Sequence, residues 1–176
     1  MKKILFSTLF VTLTIICNGQ IDLSLGLGIG NTQKAAFAEA LYGNSTKNKV
    51  LVPPVFVAVD FTVDENYSIG GYVNISKIKV LDEDKDFIFN STFFNIGIRG
   101  LYKFETESKF KPYIGAGLGL RSISIVDDDK EKLNASTLGY NFFVGGKYNI
   151  NEKTGVFVEL GYGVAILSAG LTFKIK

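Results

Sequence analysis

Asp60, Arg99, Lys147 and Glu159 are the residues of this chain most able to do chemistry together. Each falls on the small or polar phase of an alternating segment, about four to six residues from a short charged break, which puts all four at one depth if the segments are strands. Two acids and two bases gathered at one level act in one of two ways. They form an ion-selective constriction, or they neutralise each other as a salt-bridge plug. Unpaired, each would carry a large desolvation cost. Arg121 shares the phase but lies farther from those breaks.

Other chemistries are excluded or weak. The chain has no histidine, which removes Ser-His-Asp and Cys-His catalysis and His-based zinc sites. No paired carboxylates suggest acid–base work, so no enzyme, cofactor or metal is expected. Gly26-Leu27-Gly28-Ile29-Gly30 and Gly115-Ala116-Gly117-Leu118-Gly119 lack dinucleotide spacing and a P-loop lysine, and they open no helix. Asp82-Glu83-Asp84-Lys85-Asp86 starts like a calcium loop, but Phe87 replaces the turn glycine and Phe93 the closing glutamate. With Asp127-Asp128-Asp129-Lys130-Glu131 it reads as a solvated acidic loop surface, with weak divalent bridging to lipopolysaccharide as the alternative. The formal net charge of +2 is matched by Lys2 and Lys3, so the rest of the chain is neutral and nucleic acid is not an expected partner.

The elements that must hold these charges are strands. In Ile21-Asp22-Leu23-Ser24-Leu25-Gly26-Leu27-Gly28-Ile29 each odd position is aliphatic and each even one Asp, Ser or Gly. Alternation of this kind gives a strand one apolar face and one lean, polar face. It recurs at 55–63, 94–104, 138–150, 156–164 and 171–175. The reading is eight strands at about 20–30, 51–63, 67–80, 87–104, 111–126, 136–150, 155–163 and 168–176. Pro53-Pro54 is expected at the start of the second. Segment 34–42 reads equally as a short helix or as an extension of the first hairpin.

Ahead of the strands, 1–19 reads as a cleaved signal: Lys2 and Lys3, an uncharged run over 4–16, then small residues about Asn18. The run is shorter than the roughly 20 apolar residues of a helical span. The single cysteine, Cys17, falls inside it and matches a lipoprotein signal only in part. Residues 20–176 then make one domain.

Short breaks at 64–66, 105–109 and 151–154 alternate with longer or acidic ones at 31–49, 81–86 and 127–135. Short turns on one side and long loops on the other describe an up-and-down transmembrane β-barrel. Threaded so, Phe61, Tyr67, Tyr102, Phe104, Tyr148 and Phe173 fall outward at the short-turn side, as a periplasmic aromatic girdle. Glycines such as Gly26, Gly97, Gly115 and Gly145 fall inward. They are expected to make room for the long charged side chains. An eight-stranded interior is only wide enough to be filled by side chains, which favours the plug over the constriction. Arg or Lys facing mid-bilayer costs roughly 2–4 kcal/mol, which fixes the inward phase of Arg99 and Lys147. Lys77 and Lys79 fall on the outward phase near the outer end, where they snorkel or mark a bulge.

In signal, strand number and loop pattern the chain resembles the small eight-stranded outer-membrane proteins of Gram-negative bacteria, of OmpX, OmpW and opacity-protein type. Ser168-Ala169-Gly170-Leu171-Thr172-Phe173-Lys174-Ile175 is similar to their C-terminal assembly signal, with Lys176 following where they end in an aromatic. The resemblance implies an outer-membrane location with both termini periplasmic. It also implies contact with lipid and lipopolysaccharide, and recognition of the last strand by the insertion machinery. The expected role is structural, adhesive or envelope-maintaining. Two alternatives are a porin-like conduit for small or hydrophobic solutes and a secreted soluble lipid-binding barrel, whose faces would be reversed. The latter lacks the lipocalin tryptophan, since the chain has none.

Overall fold

The computed structural model describes residues 19–30, 47–81, 87–127 and 132–175. The strands are β1 (Ile21–Ile29), β2 (Lys47–Thr62), β3 (Tyr67–Leu81), β4 (Phe87–Lys103), β5 (Phe110–Asp127), β6 (Lys132–Asn149), β7 (Thr154–Tyr162) and β8 (Leu167–Lys174). Each pairs antiparallel with the next, and β1 pairs with β8 from Asp22↔Lys174 to Ile29↔Leu167, which closes the barrel. Full closure removes the unpaired sheet edges that a bilayer does not tolerate.

The alternation sorts the side chains by face. Leu25, Val57, Ile96, Ile98 and Leu160 are exposed on the outside, while Asp22, Ser24, Asp60, Arg99 and Glu159 are buried within. A soluble lipid-binding barrel needs the reverse polarity, and this excludes that alternative.

The wall is uneven. β2 through β6 run 15 to 18 residues, against 8 or 9 for β7, β8 and β1. The tall strands carry the chain past the lipid-facing band, and there the polarity inverts. Ile78, Val80, Phe89 and Phe93 form a buried apolar cluster on the inner face, with Ile123 and Ile125 against it. On the outer face of the same strands stand Lys77, Lys79, Thr92, Ser122 and Ser124. The physical reason is a change of solvent: where water replaces hydrocarbon outside, the apolar residues turn in. Lys77 and Lys79 lie on this polar outer face, and the alternation of β3 passes through them unbroken. The bulge lies across the ladder, where β2 shifts register between Val50 and Val55.

That irregularity holds Pro53-Pro54. They sit well inside β2 rather than at its start, because β2 begins at Lys47. Pairing with β1 reaches only Leu27↔Val55, so the prolines stand where that edge of β2 has no β1 residue to receive an N–H. β6 likewise begins earlier than expected, at Lys132 opposite Val126. The connection between β7 and β8 is short. Gly163 takes φ 119, a conformation open mainly to glycine. Ile166 N then donates to Gly30 O at 2.6 Å. This tucks Ala165 into the lumen, 6% exposed, beside the position of Gly28. The segments read as signal, as a helix or hairpin extension at 34–42, and as acidic loops at 82–86 and 128–131 lie outside the described residues.

Candidate functional site: the barrel lumen

Arg99 stands at the centre of the lumen, carried on the inward phase of β4 opposite Gly70 and Gly117. Its Nε donates to Asp60 Oδ1 at 2.8 Å and its Nη2 to Asp60 Oδ2 at 2.5 Å. This is the two-pronged geometry that a guanidinium offers a carboxylate. Its Nη1 reaches Glu159 Oε1 at 3.5 Å, and the Phe143 ring lies beneath the guanidinium carbon at 5.7 Å. Tyr113 Oη donates to the same Glu159 oxygen at 2.9 Å. The three charges come from β2, β4 and β7, so the cluster ties opposite walls together.

Lys147 does not join this layer. It pairs with Asp22 Oδ2 at 2.6 Å, nearer the short-turn end. The expectation of a four-membered layer is corrected here for a simple reason. Arg99 engages both oxygens of Asp60, and Lys147 pairs instead with Asp22, a carboxylate the sequence reading did not include in the layer. Arg121 sits toward the long-loop end and meets no acid among the described residues. Its Nε donates to Asn95 Oδ1 at 3.0 Å, Asn95 Nδ2 to Asn74 Oδ1 at 3.0 Å, and Asn74 Nδ2 to the Val55 carbonyl at 3.1 Å.

The inward glycines make room mostly for rings, not for charges. A Cβ on Gly26 would strike the Phe56 and Phe157 rings, one on Gly115 the Phe143 ring, and one on Gly97 Tyr72 at 2.9 Å. On Gly145 it would meet Tyr113 at 2.8 Å. Phe56 and Phe157 pack edge to face at 5.5 Å. The lumen is thus an aromatic filling with an ionic cluster set into it.

This filling divides the interior. A cavity of about 640 Å³ opens at the short-turn end and is lined by Asp22, Asp60, Arg99, Tyr113 and Lys147 among others. On the other side of Arg99 and Glu159 lies a space of about 30 Å³, bounded by Phe56, Asn141, Val164 and Ala165. That is room for about one water molecule. Arg99 borders both spaces. Tyr113→Phe is expected to cost roughly 1.5–3 kcal/mol, the value of a hydrogen bond to a charged group. Urea unfolding of the refolded protein in lipid vesicles measures it, and an unchanged midpoint would contradict the role given to the Tyr113 hydroxyl.

Of the girdle residues, Tyr67, Phe104 and Tyr148 are exposed, and Phe61, Tyr102 and Phe173 half-exposed, all near the short-turn end. Tyr67 and Tyr102 are cross-strand partners with rings 5.2 Å apart, and Tyr102 meets Phe104 at 5.1 Å. Phe110 is exposed at the same end. A second group went unread in the sequence although its phase was legible: Tyr140, Phe142 and Tyr162 stand outward toward the other end, with Tyr140 stacked on Tyr162 at 5.8 Å. Transmembrane barrels carry aromatic girdles of this kind on both sides of an outward apolar band.

Comparison with known proteins agrees with this architecture. Residues 18–174 match the family described as outer membrane protein beta-barrel domain. No curated protein sequence matches the chain. Neisserial surface protein A is similar in structure, with TM-score 0.59 and 13% identity over 89% of this chain and 96% of that one. The N-terminal β-barrel domain of Pseudomonas aeruginosa OprF superposes with TM-score 0.53 and 13% identity, over 90% and 100% of the two chains. OprG of the same organism gives 0.50 and 13%, over 89% and 96%. At such identities the likeness concerns the fold. With apolar residues outside, a packed polar and aromatic lumen inside and a family match over nearly all of its length, the chain belongs to the outer-membrane β-barrel proteins.

Proposed function

We propose that the protein is a sealed, non-enzymatic outer-membrane barrel whose work is done at its outer surface, in an adhesive or envelope-maintaining role. The observation that supports this best is the Arg99–Asp60–Glu159 cluster, which spans the lumen among close-packed rings and has a space of only about 30 Å³ against it on the side away from the short turns. The tall β2–β6 wall supports it as well, because its water-adapted faces extend above the apolar waist. In this reading residues 1–19 are a removed signal, and the short turns and both termini lie in the periplasm. The long-loop end meets lipopolysaccharide and whatever lies outside, and the strand ending at Lys174 presents the assembly signal to the insertion machinery.

The test is solute flux. Purified protein in liposomes should show no swelling with small sugars and no steady conductance in planar bilayers. Arg99→Ala, if it still shows the heat-dependent gel shift of a folded barrel, should conduct, because it joins the two spaces. Steady flux through the parent protein would instead favour the conduit reading.

A further inference from the structure

The short-turn mouth of the lumen holds more ammonium groups than it has carboxylates committed to them. Lys103 on β4, Lys111 on β5, Lys147 on β6 and Lys174 on β8 all line the 640 Å³ cavity. Asp22 is the acid that reaches into this group, and it is taken by Lys147 at 2.6 Å. Lys174, the cross-strand partner of Asp22, therefore faces a carboxylate already engaged. Lys103 Nζ is left to donate to the Thr62 hydroxyl at 2.9 Å, and Lys111 Nζ to the Thr106 carbonyl. Deeper in, Asp60 is closed around Arg99.

The register sharpens the imbalance. Lys111 and Lys147 are direct cross-strand partners on the inward face, and like charges set opposite each other destabilise a sheet. Lys103 is on the next strand, paired with Tyr113, two residues along β5 from Lys111. Three ammonium groups thus project from adjacent strands into one confined mouth. The other carboxylates along the cavity, Glu65, Glu105 and Glu107, lie on the turns at the rim and are exposed. They make no ion pair with these lysines among the described residues.

We propose that this mouth is a binding site for a small, multiply charged anion, of phosphate or clustered-carboxylate chemistry, that enters from the short-turn side and is held by Lys103, Lys111 and Lys147. Lysine suits the task because its ammonium is a point charge on a flexible stem that can follow an anion of variable shape. The low-dielectric wall of the barrel focuses the field of the three charges on the cavity. A bound anion also supplies the counter-charge that Lys103 and Lys111 lack, since they meet only a hydroxyl and a carbonyl, so binding and stability are linked. The site depends on the mouth alone and is independent of whether the lumen conducts.

Inorganic diphosphate is the probe. The isotope-labelled protein, refolded in lipid nanodiscs at low ionic strength, is titrated with diphosphate and followed by amide NMR, with urea resistance measured in parallel. Saturable shifts about Lys103, Lys111 and Lys147 are expected, with increased resistance to urea. Lys111→Met should weaken binding tenfold or more, yet be as resistant as the parent or more so when diphosphate is absent. That opposite movement separates a binding lysine from a structural one, whose loss only weakens the fold. Lys103→Met provides a second variant should Lys111→Met fail to fold. Absence of saturable shifts at millimolar diphosphate, or shifts that persist unchanged in the folded variant, overturns the proposal.

Discussion

Arg99→Met should destabilise the barrel by about 3–5 kcal/mol, the effect of stripping a buried ion pair of one partner. Arg99 is 6% exposed, and Asp60 and Glu159 are 3% and 8% exposed. Removing the guanidinium leaves two carboxylates facing each other with no cation between them. The loss should be read as a shift in the urea midpoint in vesicles and as a weaker folded band on unheated gels. The triple change Arg99→Met, Asp60→Asn, Glu159→Gln should recover most of it, because what costs is the uncompensated charge and not the absent contact. A single variant as stable as its parent would show that water reaches the cluster.

On the outside, Ile98→Arg should cost roughly 2–4 kcal/mol, the depth-dependent value for a basic residue near the bilayer midplane. Ile98 is 63% exposed on the lipid face of β4, between the lower aromatic band at Tyr102 and the polar outer stretch that begins at Thr92. Thr92→Arg, on the same strand and face, should cost close to nothing, since the side chain there meets water. The contrast between two arginines on one strand measures where the hydrocarbon ends. Equal costs at both positions would remove the argument that the inversion of polarity above the waist reflects a change of solvent.

The strands and their phase were legible because lipid enforces a strict rule on one face. Leu23, Val57 and Leu160 could be assigned outward from alternation with Asp22, Ala58 and Glu159 alone. Strand ends were less legible where partners, not residue types, decide them. Lys47–Val52 and Lys132–Ala135 carry no strong pattern and are strands because β3 and β5 run alongside. The aromatic filling was hidden for another reason. Val55-Phe56-Val57-Ala58-Val59 is apolar on both faces; the phase set by Asp60 turns Phe56 inward, but the residue types there do not say that rings rather than charges fill the lumen. The upper cluster was misleading in the same sense. The rule that polar residues face inward holds only within the hydrocarbon, and Ile78 and Val80 lie beyond it. Asp22 was legible as a residue of the polar phase, but its pairing with Lys147 came only from the structure, because the sequence places Lys147 in one layer with Asp60, Arg99 and Glu159.

The seam between β1 and β8 has a kinetic corollary. It joins Ser24 to Thr172, hydroxyl to hydroxyl at 3.5 Å and 148 residues apart in the chain. Contacts of such separation form late and slowly, since a long loop must be ordered before they return any stability. A chain truncated ahead of Leu167 would keep most of its hairpins but end with two raw margins, β1 and β7, bare of hydrogen-bond partners. Assembly therefore has no useful halfway product, and everything upstream waits on the arrival of the final eight-residue strand.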